Sequence, residues 1–107
     1  ALFGTALSVK PILHMLDGEI VVREKVRTAS RALARLVDLG VEAAGDASTV
    51  DVAVHHLDAP ARGALLAEQI AVRLGDRLAG CHLTEIGAAA GAHAGPGLAS
   101  LVVYRHP

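Results

Sequence analysis

Apolar and polar positions change period several times along the 107 residues, and each change marks an element. Residues 11–16 form a short apolar run that begins at Pro11. Asp17-Gly18 interrupts it, and residues 19–26 resume with Ile20-Val21-Val22. An Asp-Gly pair between two strand-like runs suits a tight turn whose central residues need positive φ, so a β-hairpin is predicted. From Thr28 the period becomes helical: Ala29, Ala32, Leu33, Leu36, Val37 and Val41 recur on one face, with Thr28 placed as the cap and Gly40 and Gly45 near the end. The polar side carries Arg27, Arg31 and Arg35 at steps of four, then Asp38 and Glu42. Acidic side chains near a helix C-terminus oppose its dipole, so that end is expected to fray.

Val50, Val52 and Val54 alternate with Asp51, Ala53 and His55, which predicts a buried strand over residues 50–57. Asp58-Ala59-Pro60 is expected to open a second helix, since Asp caps well and Pro is tolerated in a first turn. Its apolar positions are Leu66, Ile70, Leu74 and Leu78, with Ala67 and Ala71. Arg62, Glu68, Gln69, Arg73, Asp76 and Arg77 are expected to look outward and Gly80 to end it. Residues 82–86 read as a short strand, 87–97 as a small-residue segment and 98–104 as a final strand. The order β-β-α-β-α-β-loop-β predicts a two-layer α/β sandwich, a mixed sheet with helices packed mainly on one face. One domain covers residues 1–107.

Composition narrows the function classes. With 10 basic and 11 acidic side chains the net charge is -1, which disfavours non-specific nucleic-acid binding. Hydrophobic residues make up 52%, ample for a core, yet 21 are alanine and only one Phe and one Tyr are present, so the interior must pack backbones closely. No stretch reaches the roughly 20 apolar residues needed to span a bilayer, and no basic start precedes an apolar run. A cytoplasmic protein without stable membrane insertion is expected. The single Cys81 cannot form an internal disulfide and is expected to be a small buried residue. The absence of an initiator Met and the uncapped apolar start are those expected of a piece of something longer.

The residues from Gly87 to Gly97 are the most unusual feature. Glycines allow close backbone approach to a ligand, and His93 among them can join backbone N–H groups in facing an anionic oxygen. A tight strand connection with a solvated histidine is the alternative. The segment is not a P-loop and fails the dinucleotide fingerprint. His55 and His56 point to opposite faces of a strand, and no His-Glu-x-x-His or paired cysteines occur, so no metal site is expected.

Three segments together resemble the C-terminal part of the DegV family, bacterial fatty-acid-binding proteins that include the FakB-like lipid-carrier subunit of fatty-acid kinase. They are Leu7-Ser8-Val9-Lys10-Pro11-Ile12-Leu13 with Asp17-Gly18-Glu19-Ile20; Glu24-Lys25-Val26-Arg27-Thr28; and Glu85-Ile86-Gly87 with Gly91-Ala92-His93-Ala94-Gly95-Pro96-Gly97. The resemblance implies a DegV-type C-terminal domain whose N-terminal partner domain is absent, with one long-chain fatty acid enclosed between the two. It implies that His93, with Gly91 and Gly95, belongs to the head-group neighbourhood, the other head-group contacts coming from Ser and Thr residues of the N-terminal domain. Arg27 and Lys25 would meet the cleft or the fatty-acid kinase catalytic subunit. No catalytic residue, metal or cofactor is implied. Alanine at Ala88, Ala89, Ala90 and Ala94 departs from the bulkier residues and the Thr common there, which would widen the pocket and remove a hydroxyl contact.

Two readings of other classes compete. One is an interaction domain using the arginine-bearing helix. The other is a hydrolase with His93 as general base, for which Ser100, Thr84 and Ser8 offer no recognisable nucleophile elbow.

Overall fold

The computed structural model describes residues 10–86 and 97–107. Seven elements follow in order: β1 (Lys10–Leu16), β2 (Glu19–Val26), α1 (Ala29–Ala44), β3 (Val50–His56), α2 (Pro60–Leu74), β4 (Leu78–Glu85) after a single 3-10 turn at Gly75–Arg77, and β5 (Ala99–Arg105). By packing the chain falls into two compact units, Ala1–Leu36 and Val37–Pro107, with the boundary inside α1.

In the first unit β1 and β2 form the expected hairpin. Both turn residues take positive φ, 51° at Asp17 and 80° at Gly18, which is the geometry that matches the right-handed twist of the flanking strands. The pairing is antiparallel, with a register shift between Ile12 and Leu13. Thr28 caps α1 as expected: its Oγ1 accepts the Arg31 backbone N–H at 3.1 Å. Arg35, the last of the arginine stripe, is tied to Glu24 at 2.5 Å, whereas Arg27 and Arg31 are exposed.

In the second unit the sheet order is β4-β3-β5, with β3 parallel to β4 and antiparallel to β5. This is the mixed sheet the pattern predicted; the hairpin forms a two-stranded sheet of its own. Strict alternation along β3 buries Val50, Val52, Val54 and His56 and leaves Asp51, Ala53 and His55 half-exposed. Across the ladder Val54 faces Leu83 on β4 and Leu101 on β5, so these side chains share the covered face. Leu66, Ile70 and Leu74 of α2 and Val37 and Ala44 of α1 complete the core. Each fully buried Leu or Ile contributes roughly 1.5–3 kcal/mol over leaving it exposed. Both helices lie on this one face, since Gly40 of α1 approaches Leu101 and Gly63 of α2 approaches Leu83.

Several boundaries differ from expectation. The end of α1 is not one of them, since the helix runs to Ala44 with Gly40 and Gly45 close by as expected; a Cβ at Gly40 would stand 2.5 Å from Leu101 Cδ2 and 3.0 Å from Ile70 Cδ1, so this glycine permits close helix-to-sheet contact. The C-terminus of α1 is held, not frayed. Arg77, expected to look outward, donates Nε to Ala47 O at 2.9 Å and Nη2 to Gly45 O at 2.8 Å and Ala44 O at 3.3 Å. A cation on these terminal carbonyls satisfies orphan acceptors and complements the dipole, offsetting Asp38 and Glu42. The second helix stops at Gly75, whose φ of 58° breaks helical geometry. Leu78 therefore begins a strand, and Gly80 sits inside that strand where a Cβ would lie 2.8 Å from Asp51 Oδ1. Among the described residues no helix is long and apolar enough to cross a membrane.

Gly40→Val is expected to lower the unfolding free energy by about 1–3 kcal/mol through overpacking against Leu101 and Ile70. Val72→Thr, at a side chain left 77% exposed, is expected to change it by less than about 0.5 kcal/mol. Urea unfolding followed by circular dichroism reads both.

Candidate functional site

The two described ends of the glycine-rich segment converge on the carboxyl end of β3. Ile86 donates its N–H to His56 O at 2.7 Å, and Gly97 donates to Leu57 O at 2.7 Å, while Leu57 donates back to Leu98 O at 3.0 Å. Because β4 and β5 flank β3 on opposite sides, these ends stand two interstrand spacings apart, about 10 Å. The chain thus leaves and re-enters the sheet at consecutive residues of its central strand. In open α/β sheets, the region beyond the carboxyl ends of parallel strands is where ligands are bound.

Four features shape this place. His56, 9% exposed, accepts the Ala59 N–H on Nδ1 at 3.2 Å, so the neutral ring carries its proton on Nε2. Asp58, expected as the cap of α2, instead takes a φ of 52°, and no side chain caps that helix; the imidazole of His56 serves the turn. Gly63 lets α2 approach, since a Cβ there would meet His56 Cδ2 at 3.2 Å and Leu83 Cδ1 at 3.1 Å. Arg62, expected to look outward, reaches back so that Nη1 donates to Gly97 O at 2.6 Å. It lies in the first turn of α2, where the helix dipole disfavours a cation, and that misplaced charge is the one sequence signal that could have singled it out.

The expected head-group residues Gly91, His93 and Gly95 lie outside the described residues. Lys25 and Arg27 belong to the first unit, at the end of β2 and just before α1, and both are exposed. His55 and His56 do point to opposite faces. His55 faces Ser100, with Oγ and Nδ1 3.4 Å apart, on the sheet face away from the helices. On that same face His106 Nε2 bonds Asp51 Oδ2 and the His106 ring meets Tyr104 edge-on at 5.2 Å. Among the described residues no group of three or more His, Cys, Asp or Glu side chains is arranged to hold a metal ion.

The chain matches the family model described as "Uncharacterised protein, DegV family" over residues 1–106. It belongs to the DegV family. A DegV domain-containing protein of Streptomyces coelicolor is 52% identical over 103 residues, which are 96% of this chain and 36% of that relative. The crystal structure of a fatty acid binding DegV family protein from Streptococcus agalactiae superposes with a TM-score of 0.75 at 35% identity, covering 95% of this chain and 35% of that one. A DegV family protein from Thermus thermophilus gives a TM-score of 0.86 at 20% identity over 98% of this chain and 37% of its own, and so shares the fold. This DegV chain therefore spans little more than a third of the length of the relatives it matches.

Cys81 corrects another expectation: it is exposed, because it lies on β4 at the edge of the sheet. Partial burial of the thiol nevertheless pushes its pKa above the ordinary cysteine value. A raised thiol pKa leaves less thiolate at a given pH, so iodoacetamide should alkylate Cys81 more slowly than free cysteine at pH 8, with the difference closing only above the ordinary thiol range. Alkylation timed by intact mass measures this.

Proposed function

We propose that this chain is the C-terminal domain of a two-domain cytoplasmic DegV protein that binds one long-chain fatty acid between its domains and presents the carboxylate to the catalytic subunit of a fatty-acid kinase. The observation that carries the reading is its 35% identity, over 95% of its length, to a Streptococcus agalactiae protein described as fatty acid binding. In this account the domain has no chemistry of its own and needs no cofactor. His93, flanked by Gly91 and Gly95, hydrogen-bonds the carboxylate network, and Arg27 and Lys25 contact the kinase or line the cleft.

Physical chemistry favours this division of labour. Sheathing a tail of about fifteen methylenes at ~0.8 kcal/mol each gives a gross drive on the order of 12 kcal/mol before ordering and association costs are subtracted. The tail supplies the affinity. A carboxylate withdrawn from water must still be paired, so a few converging donors set its orientation. The carboxyl end of β3, where both ends of the His93 segment are fixed to backbone carbonyls, is suited to hold such donors still.

Full-length protein purified from its native host and extracted with organic solvent should release a C14–C18 acid in stoichiometric amount, read by mass spectrometry; absence of any acid removes the reading. His93→Ala should weaken palmitate binding by about tenfold, the worth of one hydrogen bond to a charged group, without lowering the melting temperature. Equal affinity in variant and parent would remove His93 from the site. Arg27→Glu should slow acyl-phosphate formation in the presence of the kinase while palmitate affinity stays at the parent value, and an unchanged turnover would free Arg27 of that role.

A further inference from the structure

The sheet of the second unit ends at β4, and among the described residues no strand pairs with its outer side. Ile86, the residue after β4, gives its N–H inward to His56 O. By the alternation of a strand, the backbone groups of Thr84 and His82 also turn toward β3, while Cys81, Leu83 and Glu85 turn their N–H and C=O groups outward. Free edges are usually blunted by proline, by lysine or by a bulge. β4 contains neither proline nor lysine, and its register against β3 shifts only near its start, between Val50 and Asp51. Every residue from Cys81 to Glu85 is exposed, so the outward row of donors and acceptors is open to another strand.

Three features make a second copy of β4 the strand that fits. The first is the helix layer. Gly63 brings α2 against His56 of β3 and Leu83 of β4, whereas α1 lies over Leu101 of β5. Adjacent strands stand about 4.8 Å apart, so a helix over the β3–β4 pair sits about 5 Å inside a β4–β4 junction and about 10 Å from its twofold mate, the ordinary spacing of packed helices. The second is the flank α2 would present there. Arg73, bonded to Asp38 at 2.8 Å, marks the flank that faces α1, and the helical period puts the small residues Ala64, Ala67 and Ala71 on the other. The third is charge. In the antiparallel register that sets Cys81 opposite the partner's Cys81, Ala79 meets the partner's Leu83 and Arg77 meets the partner's Glu85, which puts opposite charges together at both ends of the junction. Arg77 spends Nε and Nη2 on carbonyls around the end of α1, which leaves Nη1 for that carboxylate.

We propose that β4 is a self-association edge: two copies of this chain join β4 to β4 antiparallel about a twofold axis at Cys81, which runs their sheets into one and sets the two α2 helices side by side. The contact is isologous, so it closes on itself as a dimer. It uses nothing at the carboxyl end of β3 and is independent of what the protein binds.

The test uses the full-length protein at micromolar concentration. Sedimentation velocity gives its oligomeric state, and oxidation with copper(II)-phenanthroline followed by peptide mass spectrometry gives the register. Cα atoms of a hydrogen-bonded antiparallel pair stand about 5.5 Å apart, within the span of a disulfide. As the S–S bond forms, the two thiols release two protons to solvent and pass two electrons to two copper(II) ions, which become copper(I). The parent should sediment as a dimer and yield a peptide linked from Cys81 to Cys81, bridging isotopically labelled and unlabelled copies when the two are mixed. Cys81→Lys sets like charges opposite each other and should raise the dimer dissociation constant about tenfold or more at an unchanged melting temperature. Cys81→Ser should keep the dimer and lose the link. A monomeric parent would overturn the proposal, whether the edge stands empty or another part of the polypeptide covers it. A dimer that ignores Cys81→Lys would place the contact on another surface and also overturn it, as would a dimer that gives no Cys81-to-Cys81 peptide.

Discussion

The second unit is organised by the obligation to satisfy both edges of one buried strand. β3 lies between β4 and β5, with hydrogen-bonded partners on each side and the alternation of Val50, Val52, Val54 and His56 pinned beneath two helices. A one-residue slip would turn Asp51 and His55 into the core and the valines out of it, so the register is strongly specified. The pairing continues at the end of the strand, where His56, its last residue, and Leu57 just after it still offer carbonyls, and these receive Ile86 and Gly97. The segment of greatest chemical interest is thereby moored to the most rigidly specified part of the unit.

Close packing follows from the shortage of large side chains. With so many alanines and few aromatics, the helices must come near the sheet, and glycines at Gly40 and Gly63 make the approach possible. Arginines then fasten the chain turns: Arg77 gathers the Ala44 carbonyl at the end of α1 with those of Gly45 and Ala47 just past it, and Arg62 holds Gly97. In each case a guanidinium fork meets backbone oxygens contributed by a segment distant in sequence.

Local signals in the chain were enough for those features whose cause is local. The hairpin followed from Asp17-Gly18 because positive φ at both turn positions is an intrinsic preference of those residues, and β3 followed from its period of two. The packing role of Gly40 is not legible in the chain because a glycine near a helix end and one that admits a neighbouring Leu look alike until the neighbour is known. The break at Gly75 is masked in the pattern because Leu78 continues the helical period by coincidence. The contacts of Arg62 and Arg77 are not legible because an amphipathic projection contains no information about which loops return to the helix ends. Gly91, His93 and Gly95, expected near the head group from resemblance to the DegV family, lie outside the described residues.

A DegV-type binding site at this place requires that the ligand's charged end lie beyond the carboxyl end of β3. A crystal structure of the full-length protein with a bound long-chain acid tests this most directly. The carboxylate is expected next to the segment between Ile86 and Gly97, with the acyl tail running away from it into the cleft between the two proposed domains. A carboxylate seated on the open face of the sheet, beside Asp51 and His106, or an acid held without contact to that segment, would contradict it.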